Sequence, residues 1–340
     1  MNENTTGRKT LSLVLLILGL VLLAAALWMD ITKTYVVVDL GTKIALRGLF
    51  LVLGALLILA GLYYIPTVMH HRTIINIIFL FPLLFTFAVT VIVPMFVGVF
   101  YSFTDWNGVT YTRMVGFENY AAMFKEAAFI WSLLLTILFV VINMLLVNLV
   151  AFLLALLCTT KLKGVGFFRA AYFLPNLIGG IVLGYIWQFI FSNVLTTILK
   201  SPHSALASTN TAFIAIIVVY VWQYAGYIML IYVAAIQGIS KSVMEAAEVD
   251  GARYWTRVRK IQIPLMANAF TISLFLTLTN SFKMYDVNVA LTNGGPVSIF
   301  MMKPVQASEL LALNIYNTAF KTIPSIGMTR RLWPIGWLIR

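Results

Sequence analysis

The chain has 340 residues, 61% hydrophobic and 10% charged, with a mean hydropathy of +0.97. A water-soluble domain carries roughly 25% charged residues, so these few charges exclude a fully solvated surface, and lipid must be the solvent for much of the chain. The net charge of +12 would suit nucleic acid in a soluble protein, but here the basic residues lie in short segments between apolar runs, where they set membrane orientation.

Seven apolar runs of spanning length follow in order, at about residues 11–29, 45–65, 74–101, 130–158, 169–192, 211–236 and 264–282. Backbone N–H and C=O groups in hydrocarbon must be satisfied internally, and the runs are continuous rather than alternating. They therefore predict helices, not a barrel, and the fold class is an all-α, polytopic transmembrane bundle. The first run follows Arg8 and Lys9 like a signal peptide, but Trp28-Met29-Asp30 is a poor cleavage site, so an uncleaved span is expected. Placing the N-terminus in the cytoplasm puts Arg72, Lys161, Lys163, Arg169, Lys241, Arg253, Arg257, Arg259 and Lys260 inside as well. The outer segments then hold charges of both signs, among them Asp105, Glu118 and Lys200.

The first two runs are almost free of polar residues and predict a peripheral two-span unit, residues 1–73. The runs of the core, 74–320, carry Asn143, Asn148, Gln188, Gln223 and Asn280. Such amides face a cavity or act as interhelical glue. Gly180 and Gly184 form a small-xxx-small pattern that allows close helix packing. Tyr220, Gln223 and Tyr227 share one helix face and suit either a solute pathway or packing between helices, as does Asn280. Cys158 is the single cysteine, and His70, His71 and His203 have no metal-ligand spacing.

The long polar segment 237–264 predicts a short helix, a bend and a second short helix. Ser240 or Ser242 can cap its start with Glu245 as the acidic partner. Ala246 and Ala247 add little bulk, Gly251 allows a bend, and Pro264 suits the opening of the next span. Residue content alone allows an amphipathic segment resting on headgroups.

The spacing of Glu245-Ala246-Ala247, Gly251 and Ile261-Gln262-Ile263-Pro264 closely resembles the EAA loop of binding-protein-dependent ABC transporter permeases, with Ile263 where the family usually has Leu. Tyr101–Trp106, Val115-Gly-Phe-Glu-Asn-Tyr120, Phe173-Leu-Pro-Asn176, Asn293-Gly-Gly-Pro296 and Asn314–Phe320 resemble, in order, the maltose-type (MalF-like) sugar permeases. The resemblance implies a type I importer (MetI-like) core with two extra N-terminal helices. It also implies a second permease subunit, an ABC ATPase dimer that carries ATP and Mg, an extracytoplasmic solute-binding protein, surrounding lipid and a sugar substrate. No catalytic residue, cofactor or nucleic acid is expected for this chain, which has no GxxxxGK[ST]. Glu245, Ala246, Ala247, Asp250, Gly251 and Pro264 are then the residues expected to couple to the ATPase, and the expected location is a bacterial or archaeal cell membrane.

Two rival classes make different demands. An ion-coupled secondary transporter needs carboxylates or histidines within its spans, and none of the seven runs has one near its centre. A membrane enzyme needs paired acidic or histidine motifs, and none is present. The segment 321–340, with Arg330, Arg331 and Pro334, does not match the last span the family requires. A frameshift or truncation is expected there, which leaves the activity of the chain as written open.

Overall fold

A computed structural model describes residues 3–32, 37–39, 43–64, 71–106, 110–160 and 163–321. His70, Lys161 and the tail from 322 lie outside the described residues, as do the side chains of Arg8, His71 and Arg72. Six helices among the described residues are long and apolar enough to cross a membrane, and a bent pair makes a seventh.

The chain divides into two compact units, Met1–Phe96 and Val97–Arg340. The division falls inside the third apolar run, not at residue 73. In the first unit, α1 (Glu3–Ile31) and α2 (Leu46–Tyr63) flank a two-stranded ribbon, β1 (Val37–Asp39) and β2 (Lys43–Ala45). The two helices run antiparallel and very close. A Cβ built on Gly19 would lie 2.8 Å from the Gly54 carbonyl, and Ser12 Oγ donates to the Gly61 carbonyl at 2.7 Å. Small residues replace side-chain interdigitation here, as is common where lipid removes the hydrophobic drive between helices. α3 (71–102) is helical throughout, with a π-turn at Ala88–Ile92.

After α3 in the second unit come α4 (Glu118–Met123), α5 (Ala127–Cys158), α6 (Val165–Leu177), α7 (180–199) and α8 (Thr209–Gln237). α9 (Lys241–Val249), α10 (254–265), α11 (Ala267–Phe282) and α12 (Asp286–Leu291) follow. A hairpin of β3 (Val297–Phe300) and β4 (Lys303–Gln306) precedes α13 (311–321). The core is built where α5 and α8 pack together, around the fully buried Phe139, Val147, Tyr220, Met229 and Tyr232.

Two predicted spans differ from their sequence reading. The run 169–192 is broken: α6 stops at Leu177, Ile178 and Gly179 are extended, and α7 restarts at Gly180. The run 264–282 begins at Ala267 rather than Pro264, because the chain bends by 71° between α10 and α11. Pro264 sits in the last turn before that bend.

The Gly180/Gly184 pattern is a packing surface. A Cβ on Gly180 would meet Asp286 Cβ at 2.7 Å, and one on Gly184 would meet Ala290 Cβ at 2.5 Å, so the glycines let α7 seat against α12. The outer-segment motif is also structural. Asn119 Nδ2 donates to the carbonyls of Ser102 (2.9 Å) and Thr104 (2.8 Å), and the Tyr120 hydroxyl lies 2.6 Å from Ser102 Oγ.

The Asp105 carboxylate accepts the backbone N–H groups of Thr112 (2.8 Å) and Arg113 (3.0 Å), and the Thr112 hydroxyl. These bonds, led by that from Arg113, hold its pKa down from 3.8 to about 2. A depressed carboxylate stabilises the fold above its unfolded pKa, and that contribution fades as pH falls from 3.8 through about 2. Trp106 stacks on Tyr101 at 4.8 Å and supplies a probe. Asp105→Asn is expected to change at neutral pH the near-ultraviolet dichroism that the wild type loses only within that acid window.

Candidate functional site

The segment 237–264 is a helix, a glycine turn and a second helix. α9 begins after Ser240, whose hydroxyl lies 2.7 Å from that of Ser242. Neither serine caps the helix through its side chain, so the expected capping box does not form. The far end is a Schellman turn: Ala252 N–H donates to Ala247 C=O at 2.9 Å and Gly251 N–H to Glu248 C=O at 3.0 Å. That closure requires a left-handed residue, and Gly251 supplies it with φ +75. Glu248 pairs with Arg257, fastening α9 to α10, and Val258 is buried beneath.

Glu245, Ala246, Asp250 and Gly251 are all exposed. Ala247 is buried, so only one of the two alanines offers an open small-residue surface; the other packs inward and accepts the Schellman bond. Val249 and Trp255 are 88% and 66% exposed. Sequence reasoning did not single them out, because an apolar residue in a polar segment carries no sign of its exposure. Pro264 is exposed and lies at the bend, away from the Gly251 turn.

The predicted pathway residues divide. Tyr220 is fully buried, accepts from Ser281 Oγ at 2.9 Å and donates to the Thr277 carbonyl at 3.4 Å, so it packs between α8 and α11. Gln223 is also buried, yet its Oε1 has no hydrogen-bond donor. Tyr227 and Asn280 are half-buried.

A second polar cluster ties three helices together. Tyr232 OH donates to Asn148 Oδ1 at 2.6 Å and lies 2.6 Å from Ser273 Oγ. Asn148 is thus interhelical glue, and Asn143 bonds the Phe139 carbonyl of its own helix at 2.8 Å. Sequence reading named Asn148 but not its partner Tyr232, which stands 84 residues away. An interhelical hydrogen bond in a membrane averages about 0.6 kcal/mol and reaches about 1.7 kcal/mol. Tyr232→Phe is expected to lower stability by about 1–2 kcal/mol, measured as a fall in the thermal midpoint of the solubilised protein.

Residues 164–329 match the family described as "Binding-protein-dependent transport system inner membrane component". The "Probable starch degradation products transport system permease protein AmyD" of Thermoanaerobacterium thermosulfurigenes is 41% identical over 248 residues, 72% of this chain and 82% of AmyD. This chain belongs to that family of inner membrane permeases. The "Trehalose/maltose transport system permease protein MalF" of Thermococcus litoralis is 28% identical, covering 69% of this chain and 81% of that protein. A permease chain of the bacterial alginate ABC transporter, solved with a pentasaccharide-bound periplasmic protein, superposes with a TM-score of 0.63 at 18% identity, over 78% of this chain and 88% of that one. The helical permease fold expected from the sequence is therefore present, and the chain is a multi-pass transport permease of an ABC import system. Nothing supports the ion-coupled alternative.

Proposed function

We propose that this permease translocates a sugar or oligosaccharide delivered by an extracytoplasmic solute-binding protein. It works beside a second permease subunit and above an ABC ATPase dimer that holds ATP and Mg. Its setting is the lipid of a bacterial or archaeal cell membrane, with the N-terminus in the cytoplasm. It performs no covalent chemistry and needs no cofactor or nucleic acid.

The carrying observation is the solvent-facing turn of α9. Apolar Val249 and Trp255 stand exposed on either side of left-handed Gly251 along the chain, and open apolar side chains here suit a partner's groove. Glu245 and Asp250 add polar contacts around it. Closure of the ATPases moves this turn, and the Arg257–Glu248 pair carries the motion into α10 and across the bend to α11. Within the bundle, Tyr227, Asn280 and the unpartnered oxygen of Gln223 face the solute route, while Tyr220 supports them from the packed side. The sugar assignment draws on the relatives named for starch products and for trehalose/maltose.

The test is reconstitution of the full complex in proteoliposomes with radiolabelled oligosaccharide. ATP-dependent, binding-protein-dependent uptake is expected. Uptake driven by an ion gradient without ATP would refute the proposal.

A further inference from the structure

Two helix interruptions of the second unit lie side by side. One break is Ile178–Gly179, between α6 and α7. The other is 283–285, between α11 and α12. They abut, because a Cβ on Gly180 would lie 2.7 Å from Asp286 Cβ.

α8 sets their depth. Ser281, just before the second break, bonds Tyr220 at 2.9 Å, one turn from the middle of that helix. The middle residue of the 29-residue α8 is Gln223. That helix is about 43 Å long against about 30 Å of hydrocarbon, so its centre lies within the hydrocarbon whichever end overhangs. The start of the second break therefore lies level with the middle turns of α8.

Lys283 and Asp286 flank the second break. Both are exposed, and neither has an ion-pair partner among the described residues. Open charges and non-helical backbone at this depth are tolerated only where they line a polar cavity or meet protein. Broken helices at mid-membrane commonly mark solute sites. Tyr285 and Tyr316 lie beside the break with ring centroids 5.0 Å apart.

We propose that the paired helix breaks form a solute-contact site in which Asp286 accepts from, and Lys283 donates to, the hydroxyls of a neutral polyhydroxylated solute. Tyr285 and Tyr316 offer the aromatic faces. One charge of each sign favours hydrogen bonding to a neutral solute over capture of an ionic one. The inference rests on the permease reading above and adds residues that reading does not contain.

The test uses the complete complex in proteoliposomes, with maltotriose and trehalose as neutral probes and glycerol 3-phosphate as the anionic one. Asp286→Asn and Lys283→Gln are expected to raise the KM for the neutral probe taken up by at least about tenfold, the worth of a lost charged hydrogen bond. Asp286→Glu and Lys283→Arg should recover part of the loss. Independently of uptake, Asp286→Cys should react with a charged, membrane-impermeant thiosulfonate; Cys158, the single native cysteine, is buried. Wild-type KM in both variants, or no labelling at position 286, would overturn the site. Uptake of the anionic probe alone would overturn the solute class. Absence of any ATP-driven uptake by the wild type, with position 286 labelled, would count against the permease reading and leave the open site standing.

Discussion

Gly226→Ala is expected to give little or no correctly folded permease, although it adds one methyl group to an apolar helix. A Cβ at Gly226 would lie 1.8 Å from the Tyr172 carbonyl oxygen and 2.4 Å from its carbon. Real contacts essentially never fall below 3.0 Å, so the backbones of α6 and α8 would have to part by at least 1.2 Å. The obstacle is main chain, which no rotamer change can move aside. Separation would also loosen Ala225, Ile228 and Met229, the buried neighbours of Gly226 on α8. Overpacking costs about 1–3 kcal/mol where side chains can yield. With backbone opposed the loss should exceed about 3 kcal/mol. Gly238→Ala is the control, since its nearest atoms stand at 3.4 Å, an ordinary contact. Fluorescence-detected size exclusion after a thermal challenge should show the control at the wild-type midpoint and Gly226→Ala aggregated. A monodisperse Gly226→Ala peak at the wild-type midpoint would contradict the contact.

The number of spans was legible because hydropathy reports composition, and lipid imposes it on every crossing helix. Trajectory was not legible. Ile178-Gly179-Gly180 is apolar through a break, so the run reads as continuous. Lys283-Met284-Tyr285 lies just past a run, so the sequence does not show that Asp286 packs against Gly180. The bend before Ala267 was hidden for a related reason: Pro264 fits the start of a span, and its ring does not reveal that the turn comes two residues later.

Close approaches were partly legible. Gly180 and Gly184 have the spacing of a packing face, but sequence names neither their partner α12 nor the far tighter contact at Gly226, which has no pattern around it. Buried polar pairs were the least legible. Asn148, Tyr232 and Ser273 converge from three helices, and no local rule joins them. The shape of the turn at Gly251 was the most legible part, because its requirements lie within a few residues of one another: a left-handed residue and a helix that ends there.

That turn carries the remaining large effect. Gly251→Val is expected to leave membrane insertion intact and to reduce ATP-driven uptake more than tenfold. The structure separates two reasons. Nothing lies within 4 Å of a Cβ built at Gly251, so within this chain the demand is conformational. With φ +75, a β-branched residue in the left-handed region costs about 1–2 kcal/mol. The cheap escape is to abandon the Schellman bonds at Ala247 and Glu248 and redirect the chain toward α10. Gly251→Asn distinguishes conformation from contact, because asparagine tolerates this region but carries a Cβ and an amide. If the turn needs only its shape, Gly251→Asn should restore most of the uptake lost in Gly251→Val. If the ATPase surface presses against the bare α-carbon, both should fail while ATP hydrolysis continues. Uptake and hydrolysis measured together in proteoliposomes decide between them, and wild-type uptake in Gly251→Val would show that this turn transmits nothing.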